Sequence, residues 1–557
     1  MAELKLTRFV GLVPRLHERN LPENSATKIL DVDLSNGTLK PFRTNKKVSD
    51  KTGKYIFVDN CCYITSDNCK ASVDIIEDEC SIVVATGLGP HPVQNLKSKA
   101  CNNEWVRLGF PETTTPTAQA IDFKPLPHQT GAHFDMAREV REYFYTLVTC
   151  LGEGTACQES IPSEVSNLVE CHNGDDVVVS NILTTAPEGY KIDSVRIYCA
   201  VTMVDFDGKE QEPVFLEVGE VPFGTGTFLH KARTGYGDEC MTEEYDNLPD
   251  NAKNLVYCNN GQLAAIVGCE LWLSEPFKPH AWPEAYRYGR FTGKPLRFIP
   301  TETTGYILTD SVPAVIEIES PCTSQGCRKI TQLSETHPII SYDSAAAYNG
   351  ACFYATNDGI VMLQGNASTV ITAQYFSRDD WLAIAPWTLK GVVHDGYYYG
   401  FSDIMSFRFK VPDNVHEQFE SSTLVELSDK PTAVYRTNQD RLMFAFEDGI
   451  YEFDEGLEWR EFQWKSKPYI APGYTAFTAY KIVGDYTEFH VVHRLLKRQR
   501  DEMVDEHIVV GDHITFDNKP RRLRAGYSTI NFDVAISGKG EVTEYHIATS
   551  VNELGGQ

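Results

Sequence analysis

Short runs rich in Val, Ile, Tyr and Phe, each closed by an Asp-Gly or Asn-Gly pair, recur along this chain. Gly in such a pair supplies the positive φ that a tight hairpin turn requires, so each pair reads as a β-hairpin. CFYATNDGIVMLQG places Asp358-Gly359 between two apolar strands; GVVHDGYYYGFS and LMFAFEDGIYEFD do the same at Asp395-Gly396 and Asp448-Gly449. Asn260-Gly261, a further hairpin near Gly268, and a turn near Asp310 extend the series. Sustained apolar spacing at i, i+3, i+4 and i+7 is scarce, which argues against a helical fold. Asp395 follows Asp358 by 37 residues, and Asp448 follows Asp395 by 53. Four-stranded propeller blades recur at about 40–50 residues, because each is two hairpins plus connections. The fold class read here is mainly β, a β-propeller body over 236–490.

Residues 141–235 differ. REYFYTLVTCLG, DDVVVSNILTT, DSVRIYCAVTMVD and EPVFLEVGEV are strands separated by turn residues. They predict an inserted β-sandwich of immunoglobulin or fibronectin type. Residues 1–140 are expected to contribute the first propeller strands. Residues 491–557 are expected to close the fold with two strands, INFDVAISG and EVTEYHIATS.

The 557 residues carry a net charge of −26, which disfavours a nucleic-acid binder that works by neutralising phosphates. An acidic wall would instead let a duplex slide past it. No apolar run is long enough to span a bilayer. The opening MAELKLTRFVGLVPRLHERN has no h-region and does not read as a signal peptide. All 15 Cys lie between Cys61 and Cys352, without CxxC spacing; the preferred reading is small buried hydrophobes in a reducing cytosol. A disulfide or a metal site is the alternative.

Chemical motifs are weak. His91, His128, His133 and Asp135 share a turn-rich stretch but show no metal-ligand spacing. GLGPHP at 87–92 lacks the Lys-Ser/Thr of a phosphate loop, and GTGTFLH at 224–230 reads as a turn. No G-x-S-x-G elbow is present. No catalytic, cofactor-binding or metal residue is therefore assigned. A glycosidase would need two carboxylates across a sugar, a pairing that sequence does not reveal. The basic runs HRLLKRQRDE (493–502) and KPRRLR (519–524) read as a solvated face balanced by the acids of 501–506, or as a contact. A contact with an acidic neighbouring copy is preferred over one with DNA phosphates. Ser377-Arg-Asp-Asp380 is a capping box that opens a short helix backed by Trp381. Trp464, between Lys465 and Lys467, reads as a core aromatic, with a subunit-contact anchor as the alternative.

Several strings resemble one family. These are Phe9-Val-Gly11-Leu-Val-Pro14-Arg15, the Gly37-Thr-Leu39-Lys-Pro41 turn, NGQLAAIVGCELWLSEPFKPHAWP from Asn260 to Pro283, YATNDGIVMLQG, ITAQYFSRDDWLAIAP and Trp464-Lys465-Ser466-Lys467. In register from about residue 9 to 554, they are similar to the tail nozzle, tail-tube and packaged-DNA stabilisation proteins of short-tailed bacteriophages. The resemblance implies a non-enzymatic virion structural protein without cofactors, assembled in the host cytoplasm. It implies a homo-oligomeric ring, typically a hexamer, below the portal and adaptor and near the tail fibres. Genomic DNA would occupy the lumen without sequence-specific contacts, retained and then conducted at ejection. The alternative is a propeller-type tail protein that binds or cleaves host surface glycan; an intracellular scaffold is a third class.

Overall fold

The computed structural model describes residues 3–68, 73–121, 138–152, 157–172, 174–203, 214–231, 234–318, 329–417, 421–499, 502–515, 518–523 and 528–555. Among the described residues strands account for 49% and helices for 6%, so the chain is mainly β. It divides into two compact units. The first holds Met1–Asp67, Phe291–Glu317 and Ile330–Gln557; the second holds Asn68–Arg290 and Ile318–Lys329.

In the first unit the hairpin punctuation builds four-stranded antiparallel sheets. One runs Pro295–Pro300, Thr304–Thr309, Ala314–Glu317 and Ile330–Gln332; the next runs Ala346–Tyr348, Ala351–Thr356, Gly359–Gln364 and Ala367–Val370. A third, Ala433–Arg436, Leu442–Phe446 and Gly449–Glu452, is completed by Lys46–Ser49 from far up the chain. A fourth run, Lys390–His394 through Val425–Glu426, continues into a 13-stranded sheet.

The turns are only partly as expected. Asp395 and Gly396 are the two central residues of their hairpin, at φ of 49° and 73°. In the other two hairpins the pair is displaced by one. Thr356 faces Gly359 and Phe446 faces Gly449, so Asn357-Asp358 and Glu447-Asp448 make the turns. Each Gly instead opens the return strand at φ of 142° or 150°.

The 13-stranded sheet contains three long strands: Ala479–Gln499, Glu502–Thr515 and Ser528–Ala548. The two closing strands read from sequence are one strand of 21 residues, and the expected boundary at 490 falls inside another. Two register shifts explain the misreading. Buried positions are Tyr480 and Ile482, then Phe489 and Val491; in the partner strand they are Val534, Ile536 and Val542, then Tyr545 and Ile547. One bulge per strand flips the inward parity of both, keeping apolar residues on the core face while the alternation breaks.

Trp464 is 1% exposed, with its ring edge-on to Phe9 at 5.1 Å, so it is a core residue. The capping box at Ser377 is present, with the helix Arg378–Ala383 behind it and Trp381 fully buried. A buried ionic cluster fastens the N-terminal segment to the later strands. Arg460 donates to Asp429 at 2.5 Å and to Asn45 at 2.6 Å and lies 3.5 Å from Asp31. Burial raises the Asp429 carboxyl above its ordinary pKa, with Arg460 opposing that shift.

The second unit contains a two-layer sandwich. Its larger sheet orders Gln158–Glu159, Arg138–Thr149, Ser194–Met203 and Phe215–Pro222, with Val169–His172 also on Arg138–Thr149. The smaller sheet is Thr117–Ala120, Val177–Ser180 and Thr227–His230, so a strand upstream of residue 141 belongs to it. Ala118, Val177 and Val179 from one sheet pack with Tyr143, Tyr145, Val195 and Ile197 from the other. Two further four-stranded sheets, Asp74–Arg107 and Lys253–Tyr288, share a core around Val84, Leu255, Ala265 and Trp282.

The cysteines depart from expectation. Cys150 and Cys157 are joined as a disulfide, and Cys61, Cys80 and Cys269 are exposed. Cys171, Cys199, Cys240, Cys258 and Cys352 are buried thiols, as the sequence suggested.

Candidate functional site

The long-strand sheet of the first unit is the feature with the least local explanation. Ala479–Gln499 pairs with Ser528–Ala548 from Ala479↔Ala548 to Leu496↔Asn531. Strands of 21 residues span about 70 Å at roughly 3.3 Å per residue, several times the usual strand. The third strand, Glu502–Thr515, pairs with the first from Glu488↔Thr515 to Gln499↔Glu502. Among the described residues no strand pairs with its other side, which leaves a long free edge.

One face of this sheet is apolar and covered. On the other, Lys28, Lys465, His490 and Arg494 ring a shallow cavity of about 170 Å³ floored by Ala535 and Ser537. Ala26↔Ser466, Lys28↔Lys465 and Lys465↔Ala535 fix the cross-strand register that brings these cations together. Asp533 lies 3.7 Å from Lys465 and 4.0 Å from Arg494. The face is basic on a chain of net charge −26. Small residues on the central strand let the long cationic stems lie across it.

The basic run at 493–502 therefore divides. His493 faces the core at 1% exposure, Arg494 faces outward, and the side chains of 495–500 lie outside the described residues. Arg521 and Arg522 form a short strand on Ala479–Tyr480, and Arg524 lies outside the described residues. His91 sits 2.8 Å from Asp250, an ion-pair arrangement. His128, His133 and Asp135 lie outside the described residues. Among the described residues no group of three His, Cys, Asp or Glu is arranged to hold a metal. Gly224, at φ of 96°, lies in a turn, but Thr227–His230 of the same string is a strand paired with Val177–Ser180, so the turn reading of 224–230 holds only at its start. No helix among the described residues is long and apolar enough to cross a membrane.

Sequence reasoning missed the continuity of the long strands and the gathering of Lys28 with Lys465 and Arg494. The available signal was Lys465 alternating with buried Trp464; its partner Lys28 comes from a strand more than 400 residues away in sequence.

No protein-family model and no curated protein matches the chain. Partial likenesses exist among solved structures. The extracellular domain of a one-component system of B. thetaiotaomicron matches at 9% identity and a TM-score of 0.28, over 93% of this chain and 64% of that one. A glycoside hydrolase matches at 10% identity and a TM-score of 0.18, over 63% of this chain and 94% of its own. An arabinoxylan arabinofuranohydrolase of Bacillus subtilis matches at 8% identity and a TM-score of 0.16, over 68% of this chain and 93% of its own. The chain thus spans about 64% of the length of the first of these. At such TM-scores these likenesses carry no argument about fold or activity.

Proposed function

We propose that the chain is a virion structural protein, a subunit of a phage tail nozzle or tube that acts by assembly and without catalysis. The observation that carries this reading is the 14-residue free edge on a ladder of 21-residue strands. An exposed edge of that length is a template for pairing with another chain, and folds normally blunt or cover it. Copies related by rotation can cover each other's edges, and a ring of such ladders closes into a barrel with no edge left. A wall of that kind suits a conduit that holds and then passes DNA. The four-stranded sheets of the first unit would serve as blades of a propeller-like body. The basic face at Lys28, Lys465 and Arg494 offers the acidic surface of a neighbouring copy a complementary contact, offsetting repulsion between −26 chains. The family resemblance adds portal, adaptor and tail fibres as neighbours.

Cryo-electron microscopy of particles and of the purified chain tests this reading. A closed ring coaxial with the tail, with long strands forming its wall, is the expected result. A monodisperse monomer absent from particles would sink it. A second reading, binding of host surface glycan, is favoured by a different feature, a cleft in the second unit.

A further inference from the structure

The loop Pro276-Phe277-Lys278-Pro279-His280, part of the SEPFKPHAWP string, belongs to the second unit. It borders a cleft of about 760 Å³ in the second unit, within the roughly 300–1,000 Å³ of small-ligand sites. Phe277 stands at φ of 60° with its ring 53% exposed, although its backbone N–H is tied to the Gly261 carbonyl at 2.8 Å. A bulky residue in that conformation is costly and persists where its surroundings impose it. Here the ring lies over Gly261, where a side chain would collide with it, and its remaining surface is open at the cleft, which Met241 also lines at 75% exposure.

The floor is polar and already ordered. Glu159 accepts from Tyr198 at 2.7 Å, from Thr146 at 2.6 Å and from Arg196 at 2.7 Å. Arg196 also donates to Glu220 and lies 3.8 Å from Glu217. Asp238 lines the wall. His280, only 4% exposed, lines the cleft, and its one nearby polar partner is the Glu159 backbone. Burial, helped by the Lys278 ammonium and opposed by that backbone contact, depresses its pKa to about 3, so the ring is neutral and keeps its acceptor nitrogen unspent.

We infer that this cleft binds a saccharide, with Phe277 as stacking platform and Glu217, Arg196 and His280 as hydroxyl partners. The inference deepens the glycan-binding reading and rests on it. A simple cation would meet Arg196 and Lys278. An anion would meet Glu159, Glu217 and Asp238. An apolar ligand would desolvate Glu217 and Asp238 while offering them no hydrogen bond. A sugar ring suits all of them: its hydroxyls donate to carboxylates and accept from guanidinium, and its C–H face lies on an aromatic ring.

The test is equilibrium binding of the full chain to immobilised di- to tetrasaccharides of neutral, N-acetylated and uronic type. Binding of the neutral or N-acetylated probes, weakened about tenfold or more by Phe277→Ala and by Glu217→Gln, is expected; tenfold corresponds to about 1.4 kcal/mol. Leu457→Ala, at a 96% exposed position in the first unit, should leave affinity unchanged, and thermal midpoints should confirm that all variants fold. Saccharide binding that survives both cleft substitutions overturns this cleft and leaves the glycan reading standing. Preference for the uronic probes overturns the assignment of Glu217 as a hydroxyl partner; absence of binding to every probe overturns the saccharide assignment and removes the glycan reading with it.

Discussion

Two mostly antiparallel sheets of this molecule solve the same problem in opposite ways. In the sandwich of the second unit, Arg138–Thr149 pairs along ten positions with Ser194–Met203, and short strands such as Gln158–Glu159 flank the pair. A second sheet covers its apolar face, and Tyr143, Tyr145 and Ile197 are fully buried within the layer between. In the first unit, Ala479–Gln499 and Ser528–Ala548 are twice as long, and the strand beside them ends the sheet with nothing on its far side among the described residues. The sandwich covers its own apolar face, whereas the long ladder ends, among the described residues, on a strand with one edge unpaired. Such an edge is a template for pairing with another chain, which is the role the proposed assembly gives it.

The sharpest way to break this contrast is a proline in the edge strand. Adjacent residues of a strand point their N–H groups to opposite edges, so Val509→Pro and Val510→Pro act differently. The variant whose N–H points outward should abolish ring formation in sedimentation while the monomer stays folded. If neither variant alters the oligomer, the edge is not the joint. The same substitution idea applied within Arg138–Thr149 should unfold the sandwich locally, since both of that strand's edges are used.

Next in size come the buried anchors. Trp464→Ala removes a fully buried indole and should cost about 3–5 kcal/mol in denaturant unfolding. Arg460→Ala strands the buried carboxylates Asp429 and Asp31 and should cost a similar amount, about 3–5 kcal/mol. Asp429→Asn in the Arg460→Ala background should recover part of that loss, because no buried charge is then left unpaired at position 429.

Acid should separate the units. His230 is buried against Tyr143 at 2.9 Å, and desolvation, then Arg141, lowers its pKa to about 4, with Asp176 opposing. A group whose folded pKa lies below its unfolded value of about 6.5 stabilises fully above that value and loses this contribution as pH falls toward the folded one. Unfolding midpoints of the sandwich should therefore drop between pH 6.5 and 4, and His230→Phe should flatten that slope. A smaller effect is expected from removing the Cys150–Cys157 disulfide. Cys150→Ser with Cys157→Ser releases a short loop, worth about 2 kcal/mol by chain entropy, read as a modest fall in midpoint; reductant would also open the disulfides of Cys62 and Cys101.

The turn chemistry of this chain was legible from sequence because it is local. Asp395-Gly396 adopts the positive φ pair that its residues favour, and Ser377 caps the helix that its spacing announces. Strand content and the two-layer character around Tyr143 and Val195 followed from alternation. The long strands were not legible, because a bulge in each reverses which parity faces inward and so disguises one strand as two. The candidate sites were hidden for a related reason. Lys28 meets Lys465, and Phe277 rims a cleft with Arg196, only after chain segments far apart in sequence are paired. Sequence by itself determined the mainly-β class, the hairpins and the acidic charge, since these depend on residue type and near-neighbour spacing. Register, the free edge and the composition of each face were decided by tertiary pairing, since a hydrogen-bonded ladder sets which distant residues share a surface.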